Sequence, residues 1–220
     1  MLNTSLFNVT QKNNGTRQVC GSGFVIHTRA KGNTTLGITG LGAIKESVRD
    51  PQRLHYRAEF LDRSSSAIRF LVGNMYFNIA LVALEKEENV PNPLPLSQTL
   101  PARGIPLLCA TPHEQAERSY TSNVTTQIDK QRYDNIWLDS GLKSSYLGGP
   151  FLHEGNALGM VGYYSHKQLD FPLAGGPGAK LILQLLDRWS QGITYPFDLL
   201  PLPFSPEIGH ILGQIVGREA

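Results

Sequence analysis

A hydrolytic site needs a nucleophile, a base to activate it and a group to orient the base, and this chain supplies such parts thinly. Adjacent hydroxyls stand at Ser144 and Ser145, just ahead of a Gly148-Gly149-Pro150 turn, and His153 follows on a stretch that reads as a strand leaving that turn. A serine hydroxyl is a weak nucleophile until a base takes its proton, so this pair is inert alone. The six histidines lack the H-x-x-x-H spacing, and the cysteines the C-x-x-C spacing, that bring two ligands to one metal. No metal and no cofactor is therefore expected. Cys20 and Cys109 are too few for a disulfide scaffold and are expected to be buried, reduced thiols. Asn3, Asn8, Asn14, Asn33 and Asn123 each open an Asn-x-Ser/Thr sequon. In so Asn- and Thr-rich a chain these are read as chance.

The elements that must position these groups are mostly strands. The 220 residues are 40 % hydrophobic and 17 % charged, with a formal net charge of +2. That balance suits a globular body and gives no basic surface for nucleic acid or anionic lipid. No apolar run approaches the roughly 20 residues of a membrane helix. Met1 to Thr16 is polar without an apolar core segment, so no secretory leader is expected, an intracellular location follows, and residues 1–16 read as a flexible arm.

From Gln18 onward short apolar stretches alternate with Gly, Asn, Asp and Pro, the spacing of an all-β protein. Strands are predicted at Cys20–Thr28, Thr35–Thr39, His55–Leu61, Ala67–Val72, Ile79–Leu84, Ile105–Ala110, Thr121–Ile128, Asn135–Leu138, Pro150–His153 and Ala157–Tyr164. Between the two groups, Pro91, Pro93 and Pro95 make a stiff connector that cannot lie in a central strand. Leu181, Leu185 and Trp189 recur at helical spacing, with Gly178 before and Gly192 after. The expected organisation is an arm at 1–16, one β unit at 17–96, a second at 97–178, a helix at 179–192, and a proline-rich tail at 193–220. The tail would wrap the body or dock on a partner. Its apolar helical stretch, Ile208–Val216, is interrupted by Gly209 and Gly213, and no internal repeat is visible.

Three segments, in order, resemble the trypsin-like serine proteases, nearest the HtrA/Deg type. Gly21-Ser22-Gly23-Phe24-Val25-Ile26, followed by Ile38-Thr39-Gly40-Leu41-Gly42-Ala43-Ile44, is similar to the family's G-S-G-F-V-I strand and the T-x-x-H-V-V segment carrying its general base. Asn78-Ile79-Ala80-Leu81-Val82 resembles the D-I-A-L-L strand whose Asp orients that base. Tyr146-Leu147-Gly148-Gly149-Pro150-Phe151-Leu152, with Gly159-Met160-Val161 after it, resembles the D-S-G-G-P-L loop of the nucleophile and its following strand. The resemblance covers residues 17–192 and implies two antiparallel six-stranded β-barrels packed side by side, with a C-terminal α-helix.

The departures from the family decide what it implies for function. Gly42 stands where the family has His, Asn78 where it has Asp, and Leu147 where it has the nucleophilic Ser. The family's oxyanion-loop glycine corresponds to Ser145. Loss of any triad member lowers turnover by orders of magnitude, so the resemblance implies a pseudoprotease with a degenerate triad at Gly42, Asn78 and Leu147. Its expected role is non-catalytic. It would bind an extended peptide or protein in a cleft lined by Leu147, Gly148, Gly149, Gly42 and Asn78, or regulate active relatives. The alternative is an active serine-type hydrolase using relocated residues such as Ser144, Ser145 and His153. Ala43, directly after Gly42, removes the partner that secreted members offer a cysteine at the Cys20 position, so both thiols are expected free.

Overall fold

The computed structural model describes residues 2–13, 15–28, 35–50, 55–85, 92–128, 131–164, 174–194, 197–200 and 205–217. The first barrel is built from β1 (Leu6–Asn13), β2 (Thr16–His27), β3 (Thr35–Gly40), β4 (Tyr56–Phe60), β5 (Ser65–Asn74) and β6 (Ile79–Glu85), with a short helix α1 (Lys45–Arg49) after β3. Every pairing is antiparallel and the ring closes: β1–β2–β3–β6–β5–β4, with β4 back on β1. The second barrel comprises β7 (Pro106–Ala110), β8 (Gln115–Ile128), β9 (Gln131–Leu138), β10 (Pro150–His153), β11 (Asn156–Met160) and β13 (Ala174–Pro177), with the two-residue β12 (Tyr163–Tyr164) on the outer edge of β13. It is nearly closed. The order β11–β10–β7–β8–β9–β13 is joined end to end by one bridge, Gly159 to Gly178.

Set β12 aside and both barrels have the same order: first, second, third, sixth, fifth, fourth. The sequence shows no repeat, yet the topology repeats. Hydrogen-bond ladders and alternating burial specify a barrel without specifying side-chain identity.

Alternation also explains why the barrels adhere. Along β6 every residue from Ile79 to Leu84 is buried. Ala80, Val82 and Leu84 belong to the first barrel's interior, whereas Ile79, Leu81 and Ala83 face outward into a second apolar cluster. That outer cluster also takes Phe24, Ile38, Leu152, Met160 and the C-terminal helices. A strand buried on both faces reads as a continuous apolar run, and β6 does so because a second body covers its outer face.

Two expectations need correction. Residues 1–16 are not a flexible arm: Leu6 to Thr10 are buried, and β1 pairs with both β2 and β4, so the first barrel cannot close without it. The polar side chains that concealed it are satisfied inside, with Thr10 Oγ1 donating to Glu59 Oε1 at 2.9 Å and Ser22 Oγ to Asn8 Oδ1 at 3.4 Å. Asn8 is thus buried, whereas the sequon at Asn123 sits exposed on β8. The described part of the tail, too, is structured. β14 (Asp198–Leu199) pairs with β5, and α3 (Pro206–Ile215) is a continuous helix despite its two glycines. Ser205 caps it by accepting from Ile208 N–H at 3.3 Å. A Cβ on Gly209 would lie 3.2 Å from the Ser190 carbonyl, so that glycine lets α3 approach the end of α2 (Ala179–Ser190).

The connector stitches the halves: Leu94 N–H donates to Val25 of β2 at 2.8 Å, and Ala157 N–H of β11 donates to Pro95 at 2.9 Å. Its first residues, 89–91, lie outside the described ones. No helix among the described residues is long and apolar enough to cross a membrane.

The stripe Leu181, Leu185 and Trp189 is fully buried, in the cluster shared by both barrels rather than against the second alone. Trp189 Nε1–H donates to Asp198 Oδ2 at 2.9 Å, and Asn74 Nδ2 donates to Asp198 Oδ1 at 2.7 Å. One carboxylate thereby ties α2 to β5. Trp189→Ala is expected to cost about 3–5 kcal/mol of folding stability, the usual penalty for emptying a large aromatic site. Urea unfolding followed by circular dichroism measures it, and a loss below about 1 kcal/mol would place the stripe outside the core.

Candidate functional site

Three segments distant in sequence meet at one point. Gly42 lies in the 3-10 turn Leu41–Ile44 that follows β3, Asn78 ends the turn into β6, and Leu147 follows the 3-10 turn Ser144–Tyr146 ahead of β10. The Gly42 N–H donates to Asn78 Oδ1 at 2.8 Å. A Cβ placed on Gly42 would sit 3.5 Å from both that oxygen and a methyl of Leu147. Gly42, Asn78 and Leu147 therefore converge at the junction of the barrels.

Each of the three residues has a structural use. Asn78, at φ +53°, occupies the left-handed region that Asn tolerates. Its Oδ1 accepts from Gly42, while its Nδ2 donates to the Gly162 carbonyl at 2.6 Å. An amide can both accept and donate, whereas a carboxylate can only accept, so this strut between the barrels requires Asn. Leu147 keeps 8 % of its surface and packs with the first barrel's interior cluster. Its Cγ lies 3.0 Å from where a Cβ on Gly40 would be, so the glycine makes the space that the leucine uses.

The loop is held by its backbone. Ser22 N–H donates to the Leu147 carbonyl at 2.7 Å, Ser22 Oγ to the Ser145 carbonyl at 2.6 Å, and Gly148 N–H to Val161 at 2.7 Å. Gly148 has φ +88°, and a Cβ there would collide with the Gly40 nitrogen and the Ser22 carbonyl oxygen. Leu147 N–H donates to the Ser144 carbonyl within the 3-10 turn at 3.0 Å. An N–H committed inside the turn is not aimed at a substrate oxygen, which is what oxyanion stabilisation requires.

The relocated candidates gather no such partners. Ser144 is exposed and Ser145 Oγ is buried without a hydrogen-bond partner among the described residues. His153 sits at the end of β10, with Glu154 at 3.9 Å. Gly148 and Gly149 are buried, so of the expected cleft residues Gly42 is the exposed one and Asn78 is partly so. Both cysteines are free: burial pushes the Cys109 thiol up to about 12, and raises that of half-buried Cys20 against the pull of the Lys45 ammonium.

Two surfaces flank the junction. Beside Gly42 and Ser144 opens a groove of about 820 Å³, walled by the β1–β2 hairpin, Lys45, His55 and Tyr56. Beyond Asn78, exposed Met75, Tyr76 and Phe197 form an apolar shelf, with the Tyr76 and Phe197 rings stacked at 6.1 Å. Neither surface carries a sequence motif: Lys12 lies on β1, expected to be part of an arm, and Phe197 reaches Tyr76 only because β14 pairs with β5. Among the described residues no cluster of three or more His, Cys, Asp or Glu could hold a metal.

Two six-stranded antiparallel barrels fit a chymotrypsin-like fold. No model of a known protein family matches the chain, and no curated protein matches it.

The strut makes a prediction that runs against chemical intuition about triads. Asn78→Asp should destabilise by about 1–3 kcal/mol, because the new carboxylate would face the Gly162 carbonyl without a donor. Gly42→Ala, whose Cβ finds ordinary contact distances, should change stability by less than about 0.5 kcal/mol. Denaturant titration of both variants at neutral pH compares them directly. Equal effects would mean that the amide is not the strut described.

Proposed function

We propose that this chain is a trypsin-like pseudoprotease related to the HtrA/Deg type, an intracellular protein that binds an extended peptide or protein segment instead of cutting it, or regulates active relatives by such contacts. The observation that carries the reading is the convergence of Gly42, Asn78 and Leu147. The three residues meet at one point, and none of their side chains can take or give a catalytic proton. Hydrolysis by the family's route needs an activated hydroxyl, an imidazole and two free backbone donors. Here the site offers a leucine methyl, a bare glycine, a neutral amide and an N–H tied to Ser144.

Retention of a rigid junction flanked by an open groove and an aromatic shelf supports binding. Exposed Tyr, Phe and Met grouped together are the residue types that anchor protein contacts. An extended ligand would lie across Gly42, where the absent side chain leaves room.

The expected result is no labelling of the intact protein by a fluorophosphonate probe and no hydrolysis of casein above buffer. Leu147→Ser should remain unlabelled too, since its hydroxyl would have no base. An array of immobilised random-sequence peptides should retain the protein. Saturable turnover by a homogeneous sample, undiminished by Ser144→Ala and Ser145→Ala, would overturn the non-catalytic reading. Failure of every peptide to retain the protein would overturn the binding one.

A further inference from the structure

We infer that the groove beside Gly42 selects acidic peptides, with Lys12 and Lys45 receiving their carboxylates. This rests on the peptide-binding reading above and adds the chemistry of the ligand. The groove's walls are polar: Gln11, Gln18 and Asn13 come from the β1–β2 hairpin, and Tyr56 lies among them. Amide side chains can meet either the N–H or the C=O of an extended backbone, so they suit a peptide without naming its sequence. The charges name it.

Three cations close to these walls are already spoken for: Arg17 pairs with Glu59 at 2.7 Å, Arg49 with Glu46 at 3.3 Å, and Lys143 with Glu114 at 3.2 Å. Among the described residues Glu46 is the one carboxylate lining the groove, and Arg49 engages it. Lys12 and Lys45 line the same groove with no ion pair among the described residues. Lys45 lies close enough to pull on the Cys20 thiol. His55, also at the wall, faces Asp50 at 3.9 Å. The groove thus presents two uncommitted ammonium groups to its contents and no uncommitted carboxylate. A lysine-rich peptide would be repelled, a neutral one would find no charge to pair with, and an acidic one would complete two pairs.

The test is fluorescence anisotropy with fluorescein-labelled hexaglutamate, hexaglutamine and hexalysine on the intact chain, alongside the random-peptide array. Hexaglutamate should bind most tightly, and rising salt should weaken it. Lys12→Gln with Lys45→Gln should weaken it by about 10-fold or more, taking the pairs as partly desolvated. Lys180→Gln, an exposed lysine on α2 outside the groove, should leave binding unchanged, and circular dichroism confirms that each variant is folded. Hexaglutamate binding no tighter than hexaglutamine, or weakened equally by Lys180→Gln, would overturn the inference. If the array retains the protein without acidic bias, the charge selection fails and the peptide reading stands. If neither the array nor hexaglutamate binds, both fail together.

Discussion

Leu147 is the piece on which the rest depends. Its side chain enters the first barrel's apolar cluster from a loop of the second, through a space left by Gly40 and Gly42. Its carbonyl takes the Ser22 N–H, and its own N–H closes the 3-10 turn behind it. Burying a leucine contributes roughly 1.5–3 kcal/mol, whereas a serine at the same point would contribute little. The value of the position lies in the volume that it fills.

Asn78 meets a related demand. A carboxylate there would have Gly42 N–H as a donor and the Gly162 carbonyl as a repelling neighbour. The amide resolves that conflict by donating to one barrel and accepting from the other. Gly42, Asn78 and Leu147 thus form one set of contacts at the junction. Far from this point, Asp198 performs a similar service, joining Trp189 of α2 to Asn74 of β5. The two barrels are held at the cleft by a loop and behind it by the tail.

Much of this was legible in the residues. All ten predicted strands form, because glycine, proline and alternating burial mark strand ends and faces locally. Three were missed, each for a physical reason. β1 carries Asn8 and Thr10 on buried positions satisfied by partners far along the chain. β13 is Ala174-Gly-Gly-Pro177, with no β-forming side chain, and owes its pairing to the close approach that glycines permit. β14 exists only because a folded β5 offers it an edge. The converging positions were readable because turn residues around Gly42 and Gly148 fix backbone paths that survive changes in the reacting side chains. The groove was not readable, since it lies between a hairpin mistaken for an arm and a short helix with no motif.

The central claim is that Leu147 holds the junction of the barrels by packing, and the stability of Leu147→Ala tests it most directly. Equilibrium urea unfolding should show a loss of about 2–4 kcal/mol relative to the parent protein, the range for emptying a buried leucine site. A loss below about 0.5 kcal/mol would mean that Leu147 is a passive surface residue, and the account of the junction would be contradicted.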